Sequence, residues 1–354
     1  MIFSKGRIAN NSKFLIKGEE IEIVKNYKYL GVIFSRSGSF FATRKYLKEQ
    51  VMKAMYSLIN KCRSNHLSVK CQLEMFDKAI VPILLYGSEI WGFENIDILE
   101  RVQLYFCKHI LRLKQSTPNF MIYGELGRYP LSIKSKLRMV NFWIQLNSND
   151  NMISSILCKL LNINFYNYGF RNNWLCFVKS IFDNCGMSNV WENTNLFPKN
   201  WIVASIEQKL KDQYLQEWLN EINTSSNGLC YRIFKTDLEF ENYLSLLSQN
   251  FLFTFCKFRC GNHRLPVETG RWHNTPRTDR LCILCDSSDT GDEFHYIFSC
   301  DYFKKERKQY LSSFYCNNVN TLKFEQLFGS KNIVELEKLC KFIRFICLKV
   351  SPPG

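Results

Sequence analysis

Two periods divide the chain. Over residues 2–35, β-branched and aromatic runs (IFSKGRI, KFLIKG, EEIEIV, YKYLGVIFS) alternate with Asn, Gly and Lys. Such runs predict short strands, with NNSK and KGEE as turns. SRSGSF at 35–40 breaks the pattern. From about Phe41 the spacing becomes helical: Ala42, Leu47, Val51, Ala54, Met55, Leu58 and Ile59 recur on one face, with Lys and Arg between them. Residues 67–85 repeat it, with Pro82 bending or restarting the helix. A third helix over 96–113 aligns Ile98, Leu99, Val102, Phe106 and Ile110. STPN at 116–119 is a helix-start signal, and helical patterning continues over 131–220.

TSSNG at 224–228 is the best candidate for a linker. Past it, YRIFKTDLEFENYLSLL reads as helix, and residues 257–280 as an irregular basic segment punctuated by Gly and Pro. Two helical pieces follow, one charged (KKERKQYLSSF) and one apolar (ELEKLCKFIRFICLKV). No internal repeat or low-complexity tract is present. The expected fold is mainly α: a short N-terminal β segment, then multi-helix bundles and a small Cys/His module. The expected domains are 1–39, 40–130, 131–224 and 229–354.

The Cys/His module is Cys282-x2-Cys285-x9-His295-x4-Cys300. A Cys-x2-Cys turn aims two sulfurs at one point, and a tetrahedral zinc site needs two more soft ligands. The polar, turn-rich loop DSSDTGDEF can close freely, and a short helix would bring His295 and Cys300 to one side. Four protein ligands leave no open position, so the expected cofactor is a structural Zn²⁺ and not a catalytic one. Chance spacing in a cysteine-rich chain is the competing reading, weakened by the added His and fourth Cys at short range. A second set, Cys256-x3-Cys260-x2-His263, lacks a fourth ligand and reads as buried structural cysteines.

Charge directs the choice of partner. The 354 residues carry a formal charge of +15, which favours polyanions through displacement of phosphate counterions. No long basic amphipathic helix supports a membrane surface instead. Fifteen scattered cysteines and a start, MIFSKGRIANNSK, without an apolar core point to an intracellular, reducing setting, nuclear or cytoplasmic and not secreted. Residues 259–280 hold five arginines, two histidines and Trp272 against Glu268 and Asp279. Arginine forks beside an aromatic ring suit a single-stranded nucleic acid. A solvated loop whose Trp272 plugs the core is the alternative. The candidate nucleic-acid contacts are Arg259, Arg264, Arg271, Trp272, Arg277, Arg280, Lys304 and Lys305. With Arg307 and Lys308, the last four more than offset three thiolates around a metal.

Three stretches, KNYKYLGVIFSRSGSF, VPILLYGSEIWG and ILRLKQSTPNFMIYGELGRYPL, resemble the region after the polymerase palm in non-LTR (LINE-type, jockey-like) retrotransposon reverse transcriptases. KFRCGNHRLPVETGRW followed by the Cys/His set resembles the zinc knuckle near the C-terminus of the same family. The resemblance spans nearly the whole chain and keeps the motif order. It implies that residues 1–35 are the last palm strands and that Tyr29, Leu30 and Gly31 form the motif beside the primer terminus. It also implies a helical thumb over about 40–113, then a helical C-terminal region with a knuckle that helps hold RNA or DNA. The family transfers nucleotides with two metal ions held by carboxylates that include an adjacent Asp-Asp pair. No Asp-Asp occurs here. The expectation is a chain that is inactive as a polymerase alone, a truncated copy or the last part of a longer protein.

Other chemistries find less footing. There is no Gly-rich phosphate loop, and no small-molecule substrate is expected. His66, His109, His263 and His273 lack a local nucleophile signature, and Glu89, Glu94 and Glu125 read as capping or ion-pairing groups. A zinc-stapled helical module for protein partners is the second function class. A pseudogene product without selected function is the third.

Overall fold

In the computed structural model, residues 14–148, 152–168 and 174–351 are described. Two antiparallel hairpins open this part. Leu15–Ile16 pairs with Glu19–Glu20, and Asn26–Tyr29 pairs with Val32–Ser35 in the register Tyr29↔Val32 to Asn26↔Ser35. Each has a two-residue loop with both residues at positive φ: Lys17 and Gly18 in the first, Leu30 and Gly31 in the second. That is the loop whose twist matches paired strands. IFSKGRI lies outside the described residues.

Much of the helical patterning corresponds to helices; within 131–220, residues 149–151 and 169–173 lie outside the described residues. Phe41–Ser64 buries Leu47, Val51, Met55, Leu58 and Cys62, a stripe at three- and four-residue spacing. Thr43 ties it to the hairpin, its hydroxyl accepting from the Ile33 N–H at 2.9 Å and donating to the Ile33 carbonyl at 2.8 Å. Glu94 accepts from the Phe40 N–H at 3.0 Å and pairs with Arg44 at 2.6 Å, so it is the capping and ion-pairing group expected. Around Pro82 the helix changes pitch without stopping. Val69–Met75 passes through a π-turn, Phe76–Ile80, into Val81–Leu84. Proline offers no N–H to the carbonyl four residues back, and the widened turn absorbs the mismatch.

The chain divides into two compact units, neither continuous in sequence. The first comprises residues 1–65, 74–103 and 130–213. The second comprises 66–73, 104–129 and 214–354. These divisions differ from the contiguous boundaries read from composition. In the first unit, helices Leu131–Ser148 and Trp174–Asn184 enclose an aromatic cluster in which Trp143 and Trp191 stack at 4.6 Å.

In the second unit the central element is Asn119–Leu126, with Phe120 through Leu126 all buried. It begins where STPN predicts. The Trp218 indole donates to its Phe120 carbonyl at 2.8 Å. Phe234, Phe255, Phe324 and Phe328 form the adjoining core, Phe234 and Phe328 stacking at 5.0 Å. TSSNG is no linker. It belongs to this unit, and a Cβ on Gly228 would collide with the Met121 side chain. YRIFKTDLEFENYLSLL forms only two single turns, Tyr231–Phe234 and Tyr243–Leu246. The last two pieces are helical as patterned, Lys304–Tyr310 and Ile333–Val350. Among the described residues, no helix is long and apolar enough to cross a membrane.

Candidate metal centre and basic surface

The Cys/His set is brought together by local structure. Leu281 bridges to Thr290, and the Cys282 N–H donates to the Asp289 carbonyl at 2.9 Å, closing the polar loop. The first two cysteines sit in a tight turn in which the Leu284 N–H points at Cys282 Sγ at 3.5 Å. The second two are joined by a π-turn, His295–Ser299, in which the Cys300 N–H donates to the His295 carbonyl at 2.8 Å. The pitch matters. Residues five apart point in different directions on an α-helix, whereas a turn closed by an i→i+5 bond returns them to one side.

The donor atoms of Cys282, Cys285, His295 and Cys300 all lie within 4.8 Å of one another, a cluster that could hold a metal ion. Cys282 Sγ and Cys300 Sγ are 3.8 Å apart, and Cys285 Sγ is 3.4 Å from His295 Nε2. His295 and Cys300 are buried; the other two are half-buried. The His295 Nδ1 atom lies 3.4 Å from Asp289 Oδ2, on the side away from the sulfurs. Burial pushes the Cys285 thiol up, but hydrogen bonds from the Ser287 hydroxyl and N–H, and from Cys282 and Cys300, bring it down to about 6. Burial, then the charge of Cys282, pushes Cys300 up to about 12. A cation between the sulfurs would relieve the repulsion of like charges this close.

The centre is anchored to the unit's core. Arg307 is buried and donates to the Ile297 carbonyl at 2.8 Å and the Cys300 carbonyl at 2.7 Å. Phe303, wholly buried, meets Phe342 and Phe345 edge-on. Nothing in the Cys/His spacing announced the arginine clamp; its partners are backbone carbonyls, which any sequence supplies.

The expected basic contacts sort into two groups. Arg259 is not a surface arginine. It is 2% exposed, bonded to Glu125 at 3.0 Å and to the Phe328 carbonyl at 3.1 Å, with Glu241 at 3.2 Å. Burial draws its pKa down, but the Glu125 and Glu241 carboxylates raise it further, so it stays charged and occupied. Arg271 is engaged by Glu268 and Asn227, and Arg277 by Asp292 at 2.7 Å. Arg280 donates to the Thr275 and Val267 carbonyls at 2.8 Å. These three are half-buried struts of the segment around the centre. Arg264, Lys304 and Lys305 are exposed. Trp272 does not plug the core: it is 50% exposed, with the Lys114 ammonium 4.7 Å from its ring centroid. Tyr29 and Leu30 are exposed at the hairpin tip, where the Tyr86 hydroxyl donates to the Leu30 carbonyl at 2.7 Å.

The second cysteine set holds no imidazole. Cys256 and Cys260 are buried beside Glu125, whereas His263 turns to Glu293 at 2.9 Å. Burial and the neighbouring Cys256 raise Cys260 well above the usual thiol range, and the Glu125 carboxylate is already taken by Arg259. Cys260 is thus a neutral, buried thiol, in keeping with the missing fourth ligand. None of the fifteen cysteines is disulfide-bonded.

Comparison with protein-family models, with curated proteins and with solved structures finds no match for this chain.

Proposed function

We propose that the chain is a nucleic-acid-binding, C-terminal part of a non-LTR retrotransposon reverse transcriptase, stapled by one structural zinc ion. The four-donor cluster carries the reading. Zn–S bonds of about 2.3 Å and Zn–N bonds of about 2.0 Å in a tetrahedron separate sulfurs by about 3.8 Å and sulfur from nitrogen by about 3.5 Å. The 3.8 Å and 3.4 Å spacings fit that geometry. Cys282, Cys285, His295 Nε2 and Cys300 would hold the ion. Asp289 Oδ2 lies 3.4 Å from His295 Nδ1 without yet bonding it, and a small closure would let it accept from Nδ1–H and fix the ring, as outer carboxylates do for zinc-bound histidines. With four protein ligands the ion supplies folding energy and no activated water.

The partner follows from charge and shape. A +15 chain that keeps Arg264, Lys304 and Lys305 exposed, and an exposed Trp272 beside Lys114, offers cations for phosphates and a ring for an unpaired base. In this reading the hairpin tip at Tyr29, Leu30 and Gly31 lies near a primer end, and no step of nucleotide transfer belongs to the chain itself. The test is a gel-shift titration of the zinc-loaded protein with single-stranded RNA and with duplex DNA. Binding should weaken steeply between about 50 and 200 mM salt. Absence of binding at low salt overturns the reading and favours a zinc-stapled module for acidic protein partners.

A further inference from the structure

A cavity of about 540 Å³ opens between the helices Gln249–Arg259 and Ile333–Val350, beyond the metal cluster and sharing none of its ligands. Its size is that of a site for a small organic group. Leu348, 58% exposed, gives it an apolar floor backed by the buried Phe258, Leu265 and Ile343, and Lys257, Arg264 and Arg344 surround it with positive charge. Among the described residues, no carboxylate lines it. A buried glutamate lies behind one wall, but Glu293 is held by His263 at 2.9 Å. The cationic side is partly fixed in advance: Arg344 donates to Thr254 Oγ1 at 3.0 Å and to the Asn250 carbonyl at 2.6 Å, with Phe251 beneath it. A flat apolar group bearing an anion fits this combination.

The cavity is joined to the exposed tryptophan. Asn262 lines it, and Asn262 Oδ1 accepts from the backbone N–H of Lys114, whose ammonium sits over Trp272. We propose that this cavity receives one unpaired nucleotide of a single-stranded nucleic acid, its base on the apolar floor and its phosphate among Lys257, Arg264 and Arg344. The assignment rests on the nucleic-acid reading above and deepens it. Base identity should matter little, because the amide of Asn262 and the hydroxyl of Thr254 are already engaged with Thr117, Cys260, Asn250 and Arg344. The cavity therefore selects by shape and charge, without reading the base edge.

The experiment uses the full zinc-loaded chain and a single-stranded RNA carrying 4-thiouridine. Photocrosslinks are expected in residues 257–265 and 343–351. The Lys257→Glu, Arg264→Glu variant changes two exposed side chains and leaves the floor intact. It should lower RNA affinity at least tenfold and reduce the slope of log affinity against log salt by about 0.7, the share of one single-strand phosphate contact. Saturating laurate, an anion with an apolar body but no base, should compete weakly. RNA that binds but crosslinks only outside the two segments overturns the cavity assignment and leaves the broader reading standing. Tight laurate binding that RNA cannot displace overturns it in favour of a lipid anion. A chain that binds no RNA at all loses both.

Discussion

The Arg259 guanidinium lies 3.0 Å from the Glu125 carboxylate, and neither side chain touches solvent. Glu125 also accepts from the Tyr243 hydroxyl, and Phe234 lies 4.3 Å beneath the guanidinium. Removing Glu125 leaves the buried guanidinium with only the partly exposed Glu241, at 3.2 Å and shared with Lys235, to oppose its charge. Glu125→Gln is expected to cost about 3–5 kcal/mol in the unfolding transition of the second unit, read by urea titration. The Glu125→Leu, Arg259→Met double variant should recover most of that loss, because Glu241 keeps Lys235 at 2.5 Å. A double variant as unstable as the single one rules out the uncompensated charge as the cause.

This pair also marks the limit of what sequence could reveal. The four metal ligands fall within one short stretch, so a spacing rule finds them. Arg259 and Glu125 are 134 residues apart, and an arginine in a basic segment looks like a surface group until its distant partner is known. The helix Phe41–Ser64 was legible because its apolar stripe repeats locally. TSSNG misled because Gly and Ser signal a bend, whether the bend joins domains or fits against Met121 inside one. Trp272 could be read either way, since exposure depends on what packs over a residue.

Elemental analysis of the purified protein should find one zinc per chain. Chelation, or Cys300→Ser, should lower the midpoint of the second unit's thermal transition and speed hydrogen exchange at Ile297 and Phe298, whose backbone Arg307 and the π-turn hold. Exchange within Phe41–Ser64 should not change, because that helix belongs to the other unit. Protein free of zinc, with unchanged exchange, would remove the metal from the account.

The hairpin tip gives a paired comparison. Gly31 has φ 83°, and a Cβ there would meet the Tyr86 ring at 3.0 Å; Gly18 has φ 88° with nothing within 4 Å. Gly18→Ala should lose only the left-handed backbone term, about 1–2 kcal/mol. Gly31→Ala should lose more and displace Tyr86 from the Leu30 carbonyl. Exchange of the Ile33 N–H, bonded to Thr43, reports the second hairpin, and that of the Ile21 N–H, bonded to the Phe14 carbonyl, reports the first. Equal effects at the two glycines would show that the Tyr86 contact contributes nothing.

Trp272→Ala removes a half-exposed ring and should leave the unfolding free energy within about 0.5 kcal/mol of wild type. If the ring stacks a base, RNA binding weakens by about 1–3 kcal/mol, and Trp272→Phe restores part of it. Filter-binding isotherms at fixed salt separate these outcomes. Unchanged affinity in the alanine variant excludes stacking at this position.

The interleaving of the two units sets an order on synthesis. The first unit has all its residues once position 213 has left the ribosome, but the second then owns only 66–73 and 104–129. Its central helix Asn119–Leu126, buried over seven consecutive residues in the finished protein, must wait uncovered for the C-terminal 141 residues, 214 to 354. A nascent chain stalled in that interval presents a sticky apolar segment to the cell, and no single proteolytic cut separates the two units.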